Sequence, residues 1–493
     1  MIERADVVII GGGAVGCLIA RALSRYKLET IIIEKEADLC CGASKANSAI
    51  VHAGYDPHPG SLKARLNVSG NALFEQVCRE LSVPFKRTGS LAVAFDEEEV
   101  KALRQLKERG ERNGVPGLRI VGREELKELE PNLNPRAQAA LYAPTAGTVD
   151  PFLLTIAAAE NAVLNGAKVW LETEALDFLL SSGMVRGVVT TQGTIEASFV
   201  INAAGLGADL LAKRAGLDPS LFPRRGEYYL LDKETFPPLN HVLFPVPTPV
   251  SKGITVVPTV HGNLLLGPNA QCIPDREDKS TTEEGLAEVY EAAKRLVPEV
   301  SLRGAIANFA GLRAASHVGD FVIEASRQPF GLINLLGIDS PGLSAAPAIA
   351  EYVVELLVEM GAPLEEKEDY RPHRPAIPCF RELSLTERES LIARDPRFGR
   401  IVCRCEMVTE GEVVAAIHSP IPARTLDALK RRVRVGAGRC QGAFDTPRLV
   451  AILSRELGLP PTAITKDGPG SELLTRRTKE WRIEDGEWDT DEH

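Results

Sequence analysis

Long apolar runs are missing from these 493 residues; none approaches the ~18 that a membrane-spanning helix needs. No secretory leader is expected either, because Glu3, Arg4 and Asp6 occupy the place where its apolar core would lie. There is no long basic block, which excludes nucleic acid as an expected partner. No internal repeat and no low-complexity tract breaks the chain. Together these absences predict a cytoplasmic protein, at most peripheral to the inner face of a membrane or docked on a partner. In such a compartment the nine cysteines are expected as thiols or ligands rather than disulfides.

What charge there is lies unevenly. The net charge is −10, and Glu480 to His493 alone carries seven acids against one arginine, so an acidic solvated tail is expected there. The length implies two or three domains.

The most informative stretch is Ala5-Asp-Val-Val-Ile-Ile-Gly-Gly-Gly-Ala-Val-Gly-Cys17. Val7 to Ile10 suits a strand buried on both faces, and Gly11-x-Gly13-x-x-Gly16 follows it at once. The glycines allow a sharp bend, a close approach of backbone to a pyrophosphate, and tight packing of the next helix. That helix, through Cys17, Leu18, Ala20, Ala22 and Leu23, would aim free N–H groups and its positive dipole end at phosphates. A second apolar run, Thr30 to Ile33, ends in Glu34, 18 residues after Gly16, where a carboxylate can accept hydrogen bonds from a ribose diol. Strand, turn, helix, strand and acid in this order predict a dinucleotide site, with flavin and nicotinamide both open.

Cys41 to Tyr55 is rich in small residues, as a chain passing close to a flat ligand would be. Leu62 to Leu81 reads as an amphipathic helix and Glu97 to Arg112 as a charged surface helix. A helix over Pro151 to Asn165 and a strand pair within Val185 to Val200 come next. From Tyr228 to Leu266 alternation and prolines predict an antiparallel sheet, where a substrate domain would interrupt the cofactor domain. A last α/β piece, Phe321 to about Met360, brings a second glycine-rich helix start at Gly337 to Ser344. Pro363 to Pro378, charged and without apolar period, is the expected linker, and Ile401-Val-Cys-Arg-Cys405 and Gly436-Ala-Gly-Arg-Cys440 open a separate small domain.

Several segments then resemble one family. Gly11-x-Gly13-x-x-Gly16 with Glu34, Ser48-Ala-Ile-Val-His-Ala-Gly54, Pro59 to Arg65, Arg225-Gly-Glu-Tyr-Tyr229, Gly311-Leu-Arg313 and Ser340-Pro-Gly-Leu-Ser344 are similar to the FAD-dependent glycerol-3-phosphate dehydrogenase and L-2-hydroxyglutarate oxidase branch of the D-amino-acid-oxidase-like superfamily. The resemblance implies an α/β FAD-binding domain (about 1–85, 145–225 and 311–362), interrupted by an α+β substrate domain (about 86–144 and 226–310). It implies FAD contacts from Gly11, Gly13, Ala14, Gly16, Glu34, Lys35, Ser44, Asn47, Ser48, Ala175, Ala204, Gly205, Gly337, Gly342, Leu343 and Ser344. His52 would take the proton of a substrate hydroxyl, a task that suits a neutral imidazole. Arg313, Lys252 and Ser340 would hold the substrate's phosphate or carboxylate. Two substrates fit that description: sn-glycerol 3-phosphate, oxidised to dihydroxyacetone phosphate with electrons passed to a partner protein or quinone, and L-2-hydroxyglutarate. A reading of another class, a non-catalytic electron-transfer subunit, is disfavoured because a relay has no use for a substrate anchor.

After a linker at 363–399, residues 400–478 resemble the small helical [2Fe-2S] domain of bacterioferritin-associated ferredoxin, followed by an acidic tail at 479–493. Cys403-x-Cys405 and Cys440, with Thr425 to Arg432 and Gly438 to Gly442, carry the likeness. Asp445 stands where that family has its fourth cysteine. It is open as a hard oxygen ligand to iron or as the N-cap of the helix that begins Thr446-Pro447.

Overall fold

In the computed structural model, which describes residues 2–247 and 253–476, the first strand Ile2–Ile10 lies between Gly193–Asn202 and Thr30–Ile33, parallel to both. Lys168–Trp170 extends this sheet on one side, and the Met184–Thr190 and Ala175–Ser181 strands on the other. Leu332–Leu336 pairs parallel to the end of Gly193–Asn202. A strand covered on both sides has no polar face, so its side chains divide between two cores. Val7 and Ile9 pack into one cluster, with the helices Ala14–Leu23, Pro151–Leu164 and Gly342–Glu359, and Val8 and Ile10 into the other, on the opposite face. Each such fully buried side chain contributes about 1.5–3 kcal/mol.

The helix Leu62–Leu81 crosses the start of Gly342–Glu359 at Gly70, where a Cβ would lie 2.2 Å from the Ser344 carbonyl oxygen. Only glycine permits that approach. Beside this contact the polypeptide after Ile50–Val51 meets the N-terminal turn of Gly342–Glu359, where the His52 N–H donates to Ser344 Oγ.

A second, nine-stranded sheet runs Gln271–Cys272, Leu221–Leu231, Leu264–Gly267, Thr255–Pro258, Val242–Pro245, Ser90–Ala94, Ala139–Ala143, Arg119–Gly122, with Ala305–Ser316 on Leu221–Leu231. It is antiparallel except that Val242–Pro245 runs parallel to Ser90–Ala94, a pairing between distant segments that alternation along Tyr228 to Leu266 does not reveal. The strands Leu221–Leu231 and Ala305–Ser316 both run across the positions, 226 and 310, at which the sequence would divide cofactor from substrate domain.

The expected linker departs from a free spacer. Within it Leu385–Arg394 is a helix closed by a Ser384/Glu387 capping box, and Phe380, Leu391 and Phe398 make a small core. Arg374 is buried against Glu160 of the cofactor domain at 2.5 Å. A buried partner and an apolar knot fasten the segment, whereas the Pro363 to Pro378 composition alone shows neither.

Beyond it a hairpin, Ile401–Cys403 with Val408–Thr409, and helices Glu410–Ile417, Leu426–Val433 and Thr446–Leu457 share one core. Two charged latches hold this unit on the rest, and a third fastens the linker that precedes it. Asp38 receives both guanidinium groups of Arg431 and Arg432 at 2.8–3.1 Å, all three side chains being buried. Glu406 meets Lys233 at 2.9 Å, Arg381 at 2.6 Å and Arg434 at 3.0 Å. Asp150 holds His261 Nε2 at 2.8 Å, while His261 Nδ1 lies 3.2 Å from Arg381 Nη2. Because arginine can only donate, Nδ1 accepts and Nε2–H donates to Asp150, which makes His261 neutral; burial likewise pulls its pKa down. Among the described residues no helix is long and apolar enough to cross a membrane.

Candidate active site

The first strand ends in the glycine turn because Gly16 abuts it: a Cβ there would stand 2.1 Å from the Gly11 carbonyl oxygen. The turn is braced from two sides. Glu34 accepts the Gly12 N–H at 2.7 Å and the Glu36 N–H at 3.0 Å, and Ser44 Oγ accepts the Ala14 N–H at 2.9 Å. Burial raises the Glu34 pKa, and those two backbone N–H groups oppose the rise. Asn47 shapes the loop by donating to the Ser44 carbonyl at 2.8 Å and accepting the Ala49 N–H at 2.8 Å.

From this cradle a cavity of about 210 Å³ opens. Ala14 and Val15, at the start of one helix, line one part of it, and Gly342, Leu343 and Ser344, at the start of another, line a second part. Neither N-cap residue, Gly13 or Pro341, caps its helix through a side chain, and both helix starts turn positive dipole ends toward the same space. A phosphate-bearing flavin fits these groups: N–H donors from a small-residue turn and two helix starts, and a carboxylate acceptor where a ribose is expected.

The cavity gathers residues far apart in the chain. His52, Arg313 and Ser340 line it, with Ser44, Asn47 and Ser48. His52 is fixed through its backbone. Its N–H donates to Ser344 Oγ at 2.8 Å, and its carbonyl accepts from Asn67 and Asn71, each at 3.0 Å. Its ring lies 5.7 Å from that of Phe244.

Arg313 donates to the carbonyls of Arg224 and Arg225 at 3.2 Å and of Asn269 at 2.6 Å. Burial pulls its guanidinium below the ordinary value, and the charge of Arg224 adds to the effect. Arg224 is its direct cross-strand partner and lines the same cavity. Like charges set opposite on one sheet face repel, so the pair is favoured where an anion sits between or beside them.

The sequence assigns no site role to Arg224, Phe244 or Tyr228, the last of which lies within the Arg225 to Tyr229 motif, although all three line the cavity. A signal exists for Arg224 and Tyr228: alternation along Leu221–Leu231 puts 224 and 228 on one face. Asn67 and Asn71, also missed, are buried polar residues four apart on the core face of a helix, a spacing that is readable as a polar contact within a core. Ala204 lies against the glycine turn, its Cα 3.2 Å from where a Gly11 Cβ would be. Gly205 opens a short 3-10 turn beside it. Lys35 pairs with Glu36 at 3.8 Å, Ala175 begins an edge strand, and Gly337 packs toward Ser316; none of these three lines the cavity. Lys252 lies outside the described residues. Cys40 and Cys41 are buried thiols that burial pushes up to about 12, so they stay protonated near neutral pH.

In the terminal unit Cys403, Cys405, Cys440 and Asp445 come together as two pairs. The Asp445 carboxylate lies against the Cys403 thiol, and Cys440 lies against Cys405. Backbone N–H groups of Gly436 and Glu406 face the Cys403 sulfur and that of Cys440 the Cys405 sulfur. Asp445 occupies the N-cap position of Thr446–Leu457 without capping it through its side chain. The helix-cap alternative is therefore not realised.

Residues 6–356 match the family described as FAD dependent oxidoreductase (DAO), and residues 401–455 match the BFD-like [2Fe-2S] binding domain. The chain is 50% identical over 475 residues to a glycerol 3-phosphate dehydrogenase of Caloramator mitchellensis, spanning 96% of this chain and 99% of that one. It is 33% identical over 382 residues to the glycerol 3-phosphate oxidase of Mycoplasma genitalium, spanning 75% and 98%. Among solved structures, dithionite-reduced L-alpha-glycerophosphate oxidase from Mycoplasma pneumoniae with FAD bound superposes with a TM-score of 0.72 at 33% identity, covering 76% of this chain and 98% of that one.

Proposed function

The chain belongs to the DAO family of FAD-dependent oxidoreductases, and from that premise we propose that it oxidises sn-glycerol 3-phosphate to dihydroxyacetone phosphate. The observation that carries this reading is the cross-strand pair Arg224 and Arg313 in the same cavity as His52 and two helix N-termini. A doubly charged phosphate is the anion that two adjacent guanidinium groups hold best.

Bound FAD supplies the acceptor for hydride from the carbon that bears the secondary hydroxyl. His52 takes the hydroxyl proton as that carbon is oxidised. Its backbone bonds to Ser344, Asn67 and Asn71 hold it in place in the cavity wall. Arg313 and Arg224 bind the phosphate and so fix which hydroxyl reaches His52, which is positioning in the sense of effective concentration. The open N-terminus of Gly342–Glu359 favours negative charge in the cavity. A cluster held by Cys403, Cys405 and Cys440 of the terminal domain, when bound, would serve as relay for electrons from the flavin to a partner protein or quinone.

Anaerobic addition of sn-glycerol 3-phosphate is expected to bleach the flavin, and dihydroxyacetone phosphate should appear in equal amount. Bleaching by L-2-hydroxyglutarate with none by glycerol 3-phosphate would replace this substrate with a 2-hydroxy acid.

A further inference from the structure

The family match at residues 401–455 implies a [2Fe-2S] cluster, and four protein donors are needed to complete two irons. Three thiols are at hand. The question is what stands in the fourth place, and the side chain there has an unusual environment. Asp445 is 1% exposed, and apart from the Cys403 thiol beside it neither of its carboxylate oxygens has a hydrogen-bond partner. An ionised carboxylate taken out of water with no counter-charge is penalised by several kcal/mol. A helix start one residue away offers free N–H groups, yet the side chain does not cap it. It lies against Cys403 instead.

We infer that Asp445 is the fourth protein ligand of this cluster, sharing one iron with Cys403 while Cys405 and Cys440 hold the other. Among the described residues no three His, Cys, Asp or Glu side chains converge as a single metal ion would require. The four donors fall instead into two pairs, Cys403 with Asp445 and Cys405 with Cys440, which is the division that a binuclear cluster needs. A cation at the first pair gives both orphaned oxygens their counter-charge. The N–H groups of Gly436, Glu406 and Cys440 at the sulfurs suit thiolates bound to iron, whose reduction potential such bonds tune. Because carboxylate is the harder donor, the two irons are inequivalent before any electron arrives.

The test is Mössbauer spectroscopy of the oxidised, ⁵⁷Fe-enriched full-length protein purified anaerobically, with iron, zinc, sulfide and flavin assayed on the same sample. The expected result is two iron sites in equal amounts with different isomer shifts. In Asp445→Cys the two sites should become alike, and Asp445→Asn should lose iron and sulfide while keeping its flavin, which reports a folded chain. The assignment is overturned by two equivalent all-thiolate sites in the unaltered protein, by zinc or no metal in place of iron and sulfide, or by Asp445→Asn with full iron and an unchanged spectrum. If Asp445→Asn also loses flavin, Asp445→Cys decides: alike sites support the ligand role, and sites that stay different overturn it. None of these readouts depends on which alcohol the flavin oxidises.

Discussion

The backbone N–H of His52 donates to Ser344 Oγ at 2.8 Å, joining two residues 292 positions apart. The same hydroxyl donates to the Ile50 carbonyl at 3.2 Å and is fully buried. One serine thus ties the loop that carries the proposed base to the helix start that lines the cavity. Ser344→Ala leaves the His52 N–H without its acceptor, at about 1–3 kcal/mol. Turnover is expected to fall by about 10- to 100-fold, since small misplacements of reacting groups are costly. Thermal denaturation and kcat measured together check this, and an unchanged kcat would separate His52 placement from Ser344.

His52→Gln is expected to lower kcat by about 10²- to 10⁴-fold with KM for glycerol 3-phosphate nearly unchanged. Stopped-flow flavin reduction in the absence of oxygen is the measurement, and a rate within about threefold of the unaltered enzyme would assign proton removal to another group.

Arg313→Lys keeps a positive charge but loses the planar fork, and KM should rise by about 10- to 100-fold, worth roughly 1.4–3 kcal/mol. Flavin content should stay unchanged. Arg313→Ala is the poorer test, because three backbone carbonyls, those of Arg224, Arg225 and Asn269, would lose their donor and stability would fall along with affinity.

The latches of the terminal domain predict sensitivity to acid. Burial alone would raise Glu406, but Arg434 and Lys233 hold it down, at about 2. Burial likewise opposes, and Arg432 and Arg431 impose, a lowered value for Asp38. A carboxylate with a depressed folded pKa stabilises fully above its unfolded value, near ~4.3 for Glu and ~3.9 for Asp. The contribution is lost as pH falls from there toward the folded value. For Glu406 it amounts to roughly 3 kcal/mol. Unfolding free energy should therefore drop between about pH 4.3 and 2, and Glu406→Gln should flatten part of that drop. Asp38→Asn strands two buried arginines and should cost about 3–5 kcal/mol at neutral pH. Urea titrations at several pH values measure both.

What the sequence disclosed was mainly local. The glycine turn, the helix after it and Glu34 lie within one supersecondary unit, where spacing and apolar pattern suffice. His52, Arg313 and Ser340 came from motifs, and the cavity does bring them together. Arg224 escaped notice because its importance lies in register: it faces Arg313 across strands 89 residues apart. Asp38 was unreadable for the same reason, its partners being 393 and 394 positions away. Between Pro363 and Gly399 the composition resembled a spacer, and the buried Arg374–Glu160 pair that fastens it is visible only in three dimensions. Asp445 was legible as a departure from a motif, while the orphaned state of its carboxylate needed coordinates.

Asp38 lies four residues beyond Glu34, on the segment that leads from the expected ribose carboxylate, and its side chain is where Arg431 and Arg432 fasten the terminal domain. One short stretch of backbone therefore serves two binding equilibria. With the adenosine ribose held at Glu34, as the resemblance implies, order imposed on this stretch by the cofactor would lower the entropy cost of domain docking, and the reverse equally. Linkage makes the exchange symmetric: the factor by which cofactor strengthens docking equals the factor by which docking strengthens cofactor affinity.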